Sequence, residues 1–341
     1  MIYTEWDKLE EVIVGKAYNI DVLKQFDDQE FVDGLGKILE ETEEDFQKLS
    51  NLFKSADVKV HRPRDFPLIA EQHRTWQSAY PYPAICPRDF HIVYGNTILG
   101  TAGGDCNRYT EHDYFLDIML KKYAEGRNYI NMPKPLLNSY YRKYKKMEGQ
   151  IMFHAACVLK AGDTLLHTRP YNDDTTWGKG TKAGLDWVKR NIDRDVHWVE
   201  IPAVGHADGK LALLKPGVVM CYNKKHIPKA MKKWTVIQAK TKELPEYFHK
   251  IKSQHFYKST VQEWLQHWIG YVDETVFDIN VISLDEHTVI TNGYDADVYA
   301  QLKANGIEGI PFNFRHKYFW DSGLHCVTLD LKRKGGPDSY V

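Results

Sequence analysis

An excess of charge of either sign is missing from this chain: 45 lysines and arginines stand against 46 aspartates and glutamates in 341 residues, a formal net charge of −1. Nothing in that balance calls for nucleic acid or an anionic membrane as a partner, and the basic runs Arg142 to Lys146 and Lys224 to Lys233 read as solvated faces. No apolar run approaches the roughly 18 residues that would span a bilayer. The opening MIYTEWDKLEEVIVG lacks the basic start, apolar stretch and small-residue cleavage site of a secretory signal. Cysteines are few and scattered: Cys86, Cys106, Cys157, Cys221 and Cys326 form an odd set with no CxxC pair, which indicates neither a disulfide framework nor a zinc ribbon. HExxH is absent too, and although His206-Ala207-Asp208 could supply half of a metal site, no second motif completes it. The expectation is a cytoplasmic protein with no metal and no cofactor. No Gly/Ser- or Pro-rich linker divides the chain, so residues 1–341 are expected to form a single domain of ordinary globular composition, 43% hydrophobic and 27% charged.

What is present is a recurring strand-turn-strand form. Leu9 to Gly15 reads as a buried strand closed by glycine. A helical stripe follows from Gly36 to Ser55, carried by Leu39, Phe46, Leu49 and Phe53, and Val58 and Val60 alternate as a strand. Phe90 to Gly100 predicts a hairpin at Gly95-Asn96. Thr110 with Asp113 resembles a capping box for a helix to about Tyr123. Hairpins recur at Phe153 to His167, Lys210 to Tyr222 and Asn280 to Thr291, with helices predicted over Leu185 to Asn191 and in the stretch opened by Ser259 and Gln262. The strand after Cys326 would pair with Leu9 to Gly15 and complete a fifth unit from the two chain ends. The pattern predicts a pseudo-fivefold circular α/β arrangement, against which an ordinary mixed α/β sheet is the plainer alternative.

Each unit carries a chemically capable residue at or just before its first strand: Asp89, then His154, then His206 and Asp208, then Asp278, and Cys326 in the fifth. Any one of them alone is weak evidence, since an Asp at a strand start is usually a turn residue and a lone Cys usually a small hydrophobe. Around a common axis they would meet. A thiol is a nucleophile only as thiolate, which nearby positive charge favours; His325, Lys332, Arg333 and Lys334 are close in sequence. Two carboxylates, a thiol and a histidine suit a flat cation, because carboxylates accept paired hydrogen bonds from a guanidinium and an imidazole can protonate a departing amine.

These residues are similar to those of a known family. EWDKLEEVIVG, Pro87-Arg88-Asp89, His206-x-Asp208, Pro216-Gly217, Asp278-Ile279-Asn280, GLHCVTLDLKRKG and Ser339-Tyr340 together resemble the glycine amidinotransferases, nearly end to end. The resemblance implies a five-bladed α/β propeller, Cys326 as nucleophile, His206 as general acid and base, and Asp89 and Asp208 as carboxylates for the guanidinium. It implies arginine as donor and glycine as the default acceptor, in a ping-pong path through an amidino-cysteine, with these small molecules as partners and a homodimer as the assembly to look for. Asp278 and Asn280 fall among the substrate contacts. Two positions depart from the family pattern. Phe153-His154-Ala155-Ala156-Cys157 stands where the family reads FDAAD, so His154 replaces the acidic partner of the catalytic histidine. Lys225 replaces an arginine for the substrate carboxylate. The same site with water as acceptor would make a guanidine hydrolase, and a weakened relative would only bind guanidines.

Overall fold

Val12, Ile13 and Val14 are fully buried, as an apolar run bounded by glycine requires of a strand covered on both faces. They belong to β1 (Leu9–Val14), the central strand of a three-stranded sheet. This is seen in a computed structural model that describes residues 1–65, 82–103, 108, 111–135, 149–170, 179–192, 195–240 and 276–341. On one side β1 pairs antiparallel with β15 (Thr328–Arg333), Val14 opposite Thr328; on the other it runs parallel to β2 (Lys59–His61). The two ends of the chain thus share one sheet.

Four more sheets among the described residues repeat the order of an antiparallel pair followed by a parallel third strand. They are β3 (His91–Tyr94), β4 (Thr97–Gly100) and β5 (Asn128–Asn131); β6 (Val158–Ala161), β7 (Thr164–Arg169) and β8 (His197–Val204); β9 (Ala212–Lys215), β10 (Val218–Cys221) and β11 (Thr235–Gln238); β12 (Ile282–Asp285), β13 (Thr288–Asn292) and β14 (Glu308–Phe312). All four predicted hairpins are present, each closed by a two-residue loop. Such loops favour positive φ, and Gly162 meets that need with φ 74° while its N–H donates to Tyr3 O at 2.8 Å. The backbone of Asp338 lies where its Cβ would be. The result is the five-bladed pseudo-symmetric α/β propeller that the sequence predicts.

A parallel third strand needs a crossover. Helices α1 (Gln29–Ser55), α2 (Leu116–Ala124), α3 (Lys182–Asn191) and α4 (Ala296–Ala304) serve four of the sheets. In the unit of β10 and β11, two single turns of 3-10 helix, Lys224–His226 and Lys229–Met231, take their place. Helix α1 begins seven residues before its predicted start. The side chain of Asp28 accepts from Phe31 N at 3.1 Å, and Phe31 and Leu35 extend the buried stripe backwards across Gly34 and Gly36. Glu111–Phe115 is a turn of 3-10 helix before α2 rather than its first α-helical turn. Thr110 and the stretch opened by Ser259 lie outside the described residues.

The feature that positions the site is shared by the blades. A single 3-10 turn precedes the first strand in four of them: Pro87–Asp89, Ala155–Cys157, Ala207–Gly209 and Val276–Ile279. Successive turns pack against one another around the ring. Buried charges hold the blades together beneath them. Arg88 donates to His325 O at 2.7 Å, Thr328 O at 3.0 Å and Asp330 Oδ1 at 2.8 Å. Asp330 Oδ2 in turn accepts from Arg333 Nε at 2.8 Å, and Arg333 Nη2 donates to Ser283 O at 2.9 Å. Removing one member strands a buried charge, which costs about 3–5 kcal/mol. Arg88→Met is therefore expected to lower unfolding stability by about that amount in urea titrations followed by circular dichroism. A loss below about 1 kcal/mol would mean that the blades do not depend on this network.

Candidate active site

Cys326 sits two residues before β15, and its backbone N–H is fixed by Asn280 Oδ1 at 3.0 Å. The other end of the same amide, Asn280 Nδ2, lies 3.1 Å from the sulfur. On its other side the thiol donates to Asp208 Oδ2 at 3.2 Å. The fourth blade therefore orients the cysteine while the third supplies its carboxylate. Asp208 Oδ2 also meets His325 Nδ1 at 2.9 Å, and His325 Nε2 meets Glu5 Oε2 at 3.1 Å. Glu5 is paired with Lys160 Nζ at 2.7 Å.

Burial alone would raise the Asp208 carboxyl, but the hydrogen bond and charge of His325 outweigh it and hold Asp208 down to about 2. The thiol goes the other way. Burial pushes Cys326 well above the ordinary cysteine range, and the negative charges of Asp208 and Asp89 push it further. The basic residues after Cys326 do not offset this. Lys332 is paired at the surface with Glu10 at 2.9 Å, Arg333 is committed to Asp330, and Lys334 is exposed. The sequence expectation that these lysines and Arg333 activate the thiol is corrected by that placement.

A second group surrounds Asp89 and the two histidines. His154 Nδ1 lies 3.1 Å from His206 Nε2, and His206 Nδ1 lies 3.8 Å from Asp89 Oδ1. His206 keeps 19% of its side-chain exposure where Asp89 keeps 4%, so the group opens to solvent on the His206 side. Burial lowers both imidazoles below the usual histidine range; Lys179 adds to this at each, while the charge of Asp89 works against it at His206. Asp89 Oδ2 accepts from Arg108 Nη1 at 2.7 Å. The Arg108 guanidinium is held by Glu111 at 2.6 and 3.0 Å and lies over the rings of Tyr82 and Phe90, 4.7 and 4.8 Å from their centroids.

The structure thus brings Asp89, His154 and His206 together in one group and Cys326, Asp208 and Asn280 in the other. The charges of Asp89 and Asp208 both reach the thiol, and that of His206 reaches Asp208. Asp278 lies on the Val276–Ile279 turn, half-buried beside Tyr222. Lys225 is exposed, its backbone N–H donating to Asn223 Oδ1 at 3.0 Å. Sequence reasoning did not single out Glu5, Arg108 or Glu111. Glu5 lies inside the opening motif but outside any periodic element, and Arg108 with Glu111 offers only an i, i+3 charge pair, which is more often a surface feature.

Two oxygens of this set are buried with no hydrogen-bond partner among the described residues, Asp89 Oδ1 and Asp208 Oδ1. Buried polar atoms are rarely left so unless something else supplies the donor. The pair fits a ligand rich in N–H groups.

Comparison with known proteins agrees with this chemistry. No family model matches the chain. Inosamine-phosphate amidinotransferase 1 of Streptomyces glaucescens is 25% identical over 99% of this chain and 98% of that protein. The mitochondrial glycine amidinotransferase of Xenopus laevis is 26% identical over 99% of this chain and 84% of its own length. The L-arginine:L-lysine amidinotransferase of Pseudomonas savastanoi pv. phaseolicola is 24% identical over 99% and 96%. The solved inosamine-phosphate amidinotransferase StrB1 of Streptomyces griseus shares the fold with a TM-score of 0.72 over 99% of this chain and 98% of that one, at 23% identity. The proteins that this chain resembles from end to end, in sequence and again in fold, are amidinotransferases.

Proposed function

We propose that the protein transfers the amidino group of arginine to an acceptor amine through a covalent amidino-Cys326 intermediate. The observation that carries this reading is the pair of unpartnered carboxylate oxygens, Asp89 Oδ1 and Asp208 Oδ1. A guanidinium presents five N–H donors in one plane and can satisfy both. Its charge also acts on the thiol. Burial and then two negative charges oppose the Cys326 thiolate, and a cation bound between those charges offsets the electrostatic part of that opposition.

The proton inventory then balances. The thiol proton passes to His206, which the buried site keeps neutral; sulfur bonds to the guanidinium carbon; and His206 returns the proton to the departing nitrogen as its C–N bond breaks. Ornithine leaves and a positively charged amidino-cysteine remains. In the second half a neutral amine attacks that carbon, loses a proton to His206, and the sulfur departs and recovers the proton. Removing such a proton carrier costs about 10²–10⁴ in rate, so His206→Ala is expected to lower ornithine release within that range. An undiminished rate would assign the proton transfer to another group.

Arginine as donor is supported by the naming of one relative for L-arginine. The acceptor is read as glycine by default, giving guanidinoacetate, since one relative is named for glycine while others are named for inosamine phosphate and lysine. Lys225, exposed on its short turn, is proposed to meet the substrate carboxylate, and Asp278 and Asn280 to complete the substrate contacts. Lysine offers a point charge rather than a planar fork, so this grip is looser than an arginine would give.

Two measurements test the reading. Arginine alone should add one amidino group to Cys326 in intact-protein mass spectra and release one equivalent of ornithine, while Cys326→Ala stays unmodified. A wild-type protein that turns arginine over without ever carrying the adduct would overturn the covalent path, and citrulline formed without an amine would point to water as acceptor. The second concerns the thiol itself. Asp208→Asn removes the nearest negative charge, so the apparent pKa in the pH dependence of Cys326 alkylation should fall relative to wild type. An unchanged value would mean that burial and the remaining charge of Asp89 set it.

A further inference from the structure

We infer that Asp89, His154 and His206 form a binding site for a divalent first-row transition ion of the zinc class. Each offers one ligand atom, and these atoms all lie within 4.8 Å of one another. Two imidazoles and a carboxylate are the donor set that borderline ions of this kind take, with a further position left open to solvent or ligand. Ligand atoms on a tetrahedral ion stand roughly 3.4 Å apart for bonds of about 2.1 Å. His206 faces Asp89 Oδ1 through Nδ1 at 3.8 Å and His154 Nδ1 through Nε2 at 3.1 Å, and a single His206 nitrogen would serve the ion, within the 4.8 Å spread of the three ligand atoms. Closing the set on a single ion requires the three ligand atoms to draw in from that spread toward the tetrahedral spacing.

An independent observation points to a ligand here. Asp89 is 3% exposed, and the oxygen that faces His206, Oδ1, is the one with no hydrogen-bond partner. The surroundings are those of a ligand set in a metal site, where a ligating carboxylate is fixed by hydrogen bonding at its other oxygen. Arg108 occupies Asp89 Oδ2 and is itself locked by Glu111, leaving Oδ1 available. The other edge of the His154 ring, Nε2, lies close against Gly103, where a side chain would collide with it. Nδ1 is therefore the nitrogen turned toward His206.

His154 makes the difference. With an acidic residue there, as in the family pattern, the trio would hold one imidazole instead of two. The site rests on these residues alone. Its effect on activity rests on the proposed function, in which Asp89 Oδ1 also receives the guanidinium: ion and arginine would then exclude one another.

The experiment is a titration of chelator-treated full-length protein with Co²⁺, read by ligand-field absorption in the visible, followed by displacement with Zn²⁺. One equivalent should bind with the spectrum of a nitrogen- and oxygen-ligated ion and no thiolate charge-transfer band. His154→Gln should weaken binding at least 10-fold, and Cys326→Ala should leave it unchanged. His206→Gln serves as the second variant, with thermal unfolding as the check that each protein is folded. No stoichiometric binding by wild type, equal affinity in a folded His154→Gln protein, or a signal that vanishes with Cys326 would each overturn the site. Binding is read without substrate, so its failure leaves the amidinotransferase reading untouched. If Co²⁺ binds but arginine does not compete, the metal site stands and the placement of arginine on Asp89 falls.

Discussion

The imidazole of His325 is held by carboxylate oxygens at both edges, Asp208 on one side and Glu5 on the other, and the arrangement of the centre depends on that bridge. Asp208 comes from the third blade, His325 from the strand leading into β15, and Glu5 from the segment before β1. The bridge therefore ties the closing sheet to the middle of the chain. Glu5 continues the chain of charges to Lys160 in β6, and Arg88, on the first of the 3-10 turns, binds the carbonyl of His325 itself. A ring nitrogen on Asp208 Oδ2 fixes the direction of the carboxylate, so the same oxygen can also receive the Cys326 thiol while Oδ1 is turned elsewhere. Closing the propeller and aiming the proposed catalytic groups are consequently one structural event. Buried ion pairs contribute little net stability compared with well-packed apolar residues. Here they fix geometry.

The centre is also asymmetric in charge. Cations are plentiful in the scaffold, but Arg88, Arg333, Lys160 and Arg108 are each spent on a carboxylate. What faces the thiol is negative: Asp208 and Asp89 both oppose its ionisation. Such a site resists forming thiolate, and under the proposed function a bound cation would ease that resistance, so that the sulfur is activated only with its substrate. That logic suits a substrate carrying its own positive charge and would suit a neutral one poorly.

The fold was legible because hairpins leave short-range marks. Gly95-Asn96, Gly162-Asp163 and Pro216-Gly217 announce their turns within a few residues, and the pairing of the two chain ends followed from one unit being short of a strand. The third strands β5, β8, β11 and β14 were not foreseen. They are edge strands in which only Ile201 and Ile237 are buried, so the two-residue period that marks a strand with one buried face is faint in them. Helix α1 extends seven residues before the start the stripe of Leu39, Phe46, Leu49 and Phe53 predicts, because Phe31 and Leu35 continue that stripe across Gly34 and Gly36, residues of low helix propensity. Of the site, the residues at the blade starts could be named in advance because their chemistry is distinctive. The supports could not: Glu5, Arg108 and Glu111 are charged residues of common types, and only their burial reveals that they are not surface groups.

His154 separates this chain from the pattern it otherwise follows. An acidic residue beside His206 would stabilise the imidazolium and add a third negative charge to the centre. The histidine does neither, since burial, Lys179, His206 and Arg108 all oppose its charging. Under the proposed function the attraction for a guanidinium then falls to Asp89 and Asp208, and a proton carried by His206 would be held less firmly and passed on more readily to a basic leaving nitrogen. The replacement also exchanges an anionic oxygen ligand for a neutral nitrogen one, the kind of donor that the inferred ion site uses. In the proposed reaction and the inferred ion site, one substitution thus changes how a guanidinium is held, how a proton is delivered and which ions the centre can admit. All three follow from exchanging an oxygen anion for a neutral nitrogen donor 3.1 Å from His206.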